Sequence, residues 1–126
     1  MELLEECETS YLDKDKLKKT LTIKNLPILC ESIDTVLSNE INEGVIYCIW
    51  GQHNIKRELL EDGIQFSFQD CSHALTFSTT TNNDGSKIFI TCKTVTDIQD
   101  EDFKESIKTF IDDWMTGIKK QLNIHN

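Results

Sequence analysis

Apolar and polar side chains alternate over most of residues 53–94, and from residue 101 the apolar ones recur every three or four positions. The first rhythm belongs to strands with one buried face, the second to an amphipathic helix. In HNIKRELLEDGIQFSFQD, Asp62-Gly63 has the composition of a two-residue type I′ turn between two strand-like runs. That bend sets Glu61 opposite Ile64, Leu59 opposite Phe66, Arg57 opposite Phe68 and Ile55 opposite Asp70. Ile55, Leu59, Ile64, Phe66 and Phe68 then share one face, with Lys56, Glu58, Gln65, Ser67 and Gln69 on the other. A three-residue loop would mix the two sets, which a half-buried sheet does not tolerate. His53 and Arg57 come to lie on the apolar face. A second hairpin closes around Asn82-Asn83-Asp84-Gly85 with Thr81 opposite Ser86. Its inward set is Leu75, Phe77, Ile88, Ile90 and Cys92, with Phe89 pointing outward. Continued backward, the same alternation turns Cys71 and His73 inward at the start of that strand.

The C-terminal pattern is the strongest. Phe103, Ile107, Phe110, Ile111, Trp114 and Ile118 form one stripe, acids crowd its first turn and Lys119 and Lys120 its last, as the helix dipole favours. A helix of about 20 residues is expected there, roughly 30 Å long at 1.5 Å per residue. Upstream, KKTLTIKN at 18–25 alternates like a strand. Asn25, Pro27 and the apolar spacing Ile28, Leu29, Ile33, Val36, Leu37 predict a helix over 26–39. GVIYCIW reads as a strand apolar on both faces, in the interior of a sheet. Residues 1–16 carry six acidic and two basic side chains with little periodicity, so they are expected to form an acidic, mobile or loosely docked tail. A single domain then occupies 17–122, and 123–126 are a short C-terminal tail.

The expected class is α+β: a curved antiparallel meander of five to six strands, packed by an N-terminal helix and a long amphipathic C-terminal helix. In element order alone, over residues 18–122, this resembles the helix-grip architecture. The resemblance implies a ligand cavity between the sheet and the terminal helix.

Composition narrows the function classes. The chain has 126 residues, 13 Lys and Arg against 22 Asp and Glu, and a formal net charge of −9. Such a surface repels phosphate backbones and anionic lipid, so neither nucleic acid nor membrane is an expected partner. The first ten residues lack the basic and apolar regions of a secretory signal. Five cysteines, widely spaced and without a CxxC, then read as reduced thiols of a cytoplasmic protein. An unpaired edge on the first strand would permit a homodimer.

No catalytic or cofactor signature is present, and no cofactor is expected. Cys71, His73 and Cys92 are the thiol or metal candidates, with Cys48 and His53 as further ligands. The paired spacings of structural zinc sites are missing, so packing as small inner-face residues is the simpler reading. Arg57, the single arginine, is the better lead. On an apolar face a guanidinium must meet a carboxylate, reach water or receive an anion. Asp70 is the internal candidate. The alternative places His53, Arg57 and His73 at the polar mouth of a cavity, holding a small anionic amphipathic ligand. Trp50 and Trp114 are assigned to the core. The expected function is a non-enzymatic binding domain for a small molecule. Its rival is an acidic interaction module of the inhibitor, chaperone or immunity type, engaging a basic protein partner. A thiol or metal enzyme comes third.

Overall fold

The computed structural model describes residues 1–9 and 11–123. Six strands, Ile33–Asn39 (β2), Glu43–Cys48 (β3), Gly51–Leu60 (β4), Gly63–Phe68 (β5), Thr76–Thr81 (β6) and Lys87–Lys93 (β7), follow one another as antiparallel neighbours. Glu2–Glu8 (β1) adds to the far side of β7, which makes a seven-stranded open sheet in the order β1-β7-β6-β5-β4-β3-β2. Helices α1 (Lys14–Thr20), α2 (Leu26–Leu29) and α3 (Glu101–Gln121) complete the chain, with a 3-10 turn at Ile23–Asn25. The fold is thus α+β, with a long C-terminal helix against an antiparallel sheet. Among the described residues no helix is long and apolar enough to cross a membrane.

The faces of both hairpins are as the alternation predicts, but the pairing is not. Leu60 faces Gly63, Arg57 faces Phe66 and Ile55 faces Phe68, so the bend is Glu61-Asp62 and not Asp62-Gly63. Neither bend residue has a positive φ, so the turn is not type I′ and needs no glycine. Gly63 serves β5 instead: an added Cβ would lie 1.9 Å from the Thr79 carbonyl oxygen. In the second hairpin Thr81 faces Ile88 and Phe77 faces Cys92. Each register differs from the expected one by two residues, which keeps the face of every side chain because the strand repeat is two. Leu75, Phe77, Ile88, Ile90 and Cys92 are all buried. Leu59, expected in the core, is 66% exposed.

The N-terminal third differs more. Of the segment expected as a tail, Glu2–Glu8 pairs with β7, from Glu2 opposite Lys93 to Glu8 opposite Lys87, and residues 14–16 open α1. The 18–25 strand is the end of α1 and the 3-10 turn, and the 26–39 helix is four residues of α2 followed by β2. Of the C-terminal tail, residues 124–126 lie outside the described residues. The expected both-sided strand is one from the sheet edge, and its Tyr47 is exposed.

α3 begins where Asp100 accepts hydrogen bonds from the Asp102 and Phe103 amides, as an N-cap should. It buries Ile107, Phe110, Ile111, Trp114 and Ile118. Trp114 donates its indole N–H to the Thr79 hydroxyl at 2.8 Å, so two buried polar groups satisfy each other. Gly117 lets α2 pass over α3: a Cβ there would sit 1.8 Å from the Leu29 oxygen. Between sheet and helix, ringed by Ile46, Ile55, Phe66, Phe77, Phe110 and Trp114, the free volume is about 10 Å³. That is at most room for one water molecule. The cavity expected beneath the helix is filled by side chains.

Candidate functional site

The open space lies at one end of the sheet. The β3–β4 turn brings Trp50, the start of β4 brings His53, the β5–β6 loop brings residues 70–73 and Leu75, and the entry to α3 brings Asp100 and Phe103. Together with Phe68 they line a cleft of about 460 Å³. Gly51, at φ +94°, makes the tight turn that presents Trp50. Ala74, in the middle of the opposing loop, is held at φ +50°. A side chain with a Cβ seldom adopts that conformation, and it persists only where the surroundings impose it.

Trp50 is fixed on several sides. Its indole N–H donates to the Ser106 hydroxyl at 2.8 Å, and its ring stacks on Phe110 with centroids 4.9 Å apart. Phe68 and Phe103 stand edge-on to it, at 70° and 74° and 5.7 Å in both cases. The three rings thus form a corner, in the edge-to-face geometry aromatic pairs favour.

His53 stacks on Phe68 at 5.4 Å. Its Nδ1 lies 2.8 Å from Asp70 Oδ1 and its Nε2 3.2 Å from the Trp50 carbonyl oxygen. Both partners are acceptors, so each ring nitrogen is engaged, and which of them carries the proton follows from the tautomer. Partial desolvation opposes ionisation of Asp70, but the hydrogen bonds from His53 and the Asn54 amide outweigh it and hold its carboxyl below the ordinary carboxylate range. The Asp70 side chain remains 43% exposed toward the cleft mouth. His73 packs against Phe103 and places Nδ1 2.8 Å from the Thr96 hydroxyl.

The residues singled out from the sequence therefore divide. His53, Cys71 and His73 meet at the cleft, although Cys71 and His73 reach it from a loop and not from a strand. Arg57 does not. Four residues along β4, about 13 Å at the strand rise, its Nε donates to the Leu21 carbonyl at 2.7 Å and its outer nitrogen to the Lys18 carbonyl at 2.9 Å. The guanidinium closes the C-terminal end of α1, where carbonyls lack helical partners and a cation is favoured. Burial lowers its pKa, and the two carbonyls give the half-buried guanidinium its hydrogen-bond partners. Asp70, the expected partner of Arg57, belongs to His53.

The thiols separate in the same way. Burial pushes Cys92 up to about 12 and raises Cys48 as well, which disfavours the thiolate that metal binding or nucleophilic attack requires. Among the described residues no three His, Cys, Asp or Glu side chains gather around a common point. Sequence reasoning missed Trp50, Asp100 and Phe103 as site residues. The Trp50-Gly51 dipeptide, a large aromatic beside a turn glycine, was the available signal.

No family model matches the chain, and no curated relative matches it. Its fold is shared by solved structures. The crystal structure of an uncharacterized protein from Bacillus thuringiensis superposes with a TM-score of 0.66 over 96% of this chain and 98% of that one, at 11% identity. The protein XoxI from Bacillus cereus gives 0.62 over 99% and 98%, at 12% identity. At that identity the likeness is one of fold alone.

Proposed function

We propose that this protein is a small binding domain whose ligand enters the aromatic cleft between Trp50, Phe103 and the β5–β6 loop. One observation carries the reading. A cleft of about 460 Å³ has three fixed aromatic rings for walls and imidazole, carboxylate and hydroxyl groups around its mouth. That volume lies within the roughly 300–1,000 Å³ of small-ligand sites, which combine an apolar lining with a few polar groups. The reading is binding rather than catalysis because His53 has both nitrogens engaged and the cleft thiol, Cys71, has no hydrogen bond to a base among the described residues.

The test is a small-molecule screen by thermal shift at two ligand concentrations. A ligand that binds only the folded state raises Tm further at the higher concentration. Ser72 is exposed on the cleft wall, so Ser72→Trp fills the space without disturbing the core. Hits should lose their shift in that variant while its own Tm stays near that of the parent. Hits that survive the Ser72→Trp change bind elsewhere and would defeat the proposal.

A second reading, an acidic module engaging a basic protein partner, draws on Asp97, Asp100, Glu101 and Asp102, exposed together where α3 begins. Capture from lysate that weakens steeply with salt, and that Ser72→Trp leaves intact, would favour it over the small-ligand reading.

A further inference from the structure

Resting on the binding reading above, we infer that the cleft selects an organic cation, a small amine or quaternary ammonium with an apolar body. The charge expected from Arg57 was the opposite. With the guanidinium committed to the carbonyls of Lys18 and Leu21, no lysine or arginine among the described residues lines the cleft, whereas two carboxylates, Asp70 and Asp100, do. An anion entering there would meet like charge and have only the imidazoles to answer it. Of these, His53 is already bound to Asp70, and His73 has one nitrogen bound to Thr96.

Three further features favour a cation. Phe68 and Phe103 each stand edge-on to Trp50, at 70° and 74°, and all three rings line the cleft. Aromatic corners of this sort hold ammonium groups through the ring quadrupole, with tryptophan the best partner. Asp70 is the exposed anionic neighbour. Its Oδ2 is engaged only by a 3.3 Å hydrogen bond from the Asn54 amide, which leaves lone pairs turned outward. Asp100 lines the cleft, and Glu101 and Asp102 follow it, exposed, in the first turn of α3, with Lys104 3.4 Å from Glu101; Asp97, three residues earlier, has the Met1 ammonium 3.8 Å away. A chain of net charge −9 concentrates cations at such a mouth. The volume suits one ring-sized group with a short tail, so the occupant is a free small molecule.

The experiment titrates isotopically labelled full-length protein with benzyltrimethylammonium, 3-phenylpropanoate and benzyl alcohol, followed by NMR. The ammonium should shift the Trp50 indole and residues 70–75, with a Kd at least tenfold below that of the carboxylate. Asp70→Asn should weaken the ammonium several-fold and leave the alcohol unchanged. If the carboxylate binds the cleft as tightly as the ammonium, the charge assignment falls and the binding reading survives. If no probe moves those resonances, both fall. A lysine-rich peptide provides the last arm. Binding of the peptide at the cleft more tightly than the small ammonium would transfer the cation to a protein partner and overturn the small-molecule assignment.

Discussion

Replacing Arg57 separates a structural guanidinium from a ligand-binding one. Arg57→Met keeps much of the apolar stem and removes two charge-assisted hydrogen bonds, to Leu21 at 2.7 Å and Lys18 at 2.9 Å. Bonds to a charged group contribute about 1.5–3 kcal/mol each when buried. Arg57 is only half-buried, and water can partly rescue the freed carbonyls, so the pair is worth about 2 kcal/mol, including the helix-end charge. For a chain of this size that is a fall in Tm of roughly 6–10 °C. Arg57→Lys can reach one carbonyl and should lose about half as much. Urea unfolding gives the stabilities, and amide exchange should locate the loosening in α1 and at Leu21. Affinity of any cleft ligand should be unaffected. A structural guanidinium is refuted if Arg57→Met stays within about 0.5 kcal/mol of the parent, or if it abolishes cleft binding with stability intact.

Two further changes address the packing and the sheet edge. Gly117→Ala puts a Cβ where the Leu29 oxygen would be 1.8 Å away; α2 must shift, and a loss of about 1–3 kcal/mol in urea unfolding is expected, whereas a neutral result would mean that α2 is not seated as described. On the inner side of β1, desolvation and then the neighbouring Asp112 carboxylate push Glu5 up to about 7 from 4.5. A raised folded-state value means this contribution is complete below the unfolded value and is lost as pH rises through about 7. After solvent screening it amounts to about 1 kcal/mol. The stability difference between pH 5 and pH 8 should therefore shrink in Glu5→Gln relative to the parent, and equal pH slopes in the two proteins would refute the assignment.

Legibility in the sequence followed the regularity of each element. From β4 onward the strands alternate cleanly, and α3 has a continuous stripe and a capping acid, so the faces there could be read directly, with the exposed Leu59 the exception in burial. The hairpin registers could not. Asp62-Gly63 looks like a turn, but Gly63 is demanded by the approach of the Thr79 backbone. The N-terminal third misled for a specific reason. β2 carries bulges between Ile33 and Thr35 and between Val36 and Ser38, so its inward residues Ile33, opposite Cys48, and Val36, opposite Ile46, stand three apart. A bulged strand thereby imitates helical spacing. In β1 the inward row is Leu3, Glu5 and Cys7 while Leu4 is exposed, which hides the alternation altogether. The cleft was half legible. His53, Cys71 and His73, singled out from the alternation, line it, yet its aromatic walls come from a turn and a helix entry whose meeting no local pattern encodes.

The seating of β1 also sets an order of assembly. Every other strand pairs with the one made just before or after it, but Cys7 must find Ile88 and Glu2 must find Lys93. Closing a loop of that length costs about 4 kcal/mol in chain entropy. On a ribosome the first strand waits until β7 has emerged, and its docking adds the last edge to a meander whose other pairings join sequence neighbours.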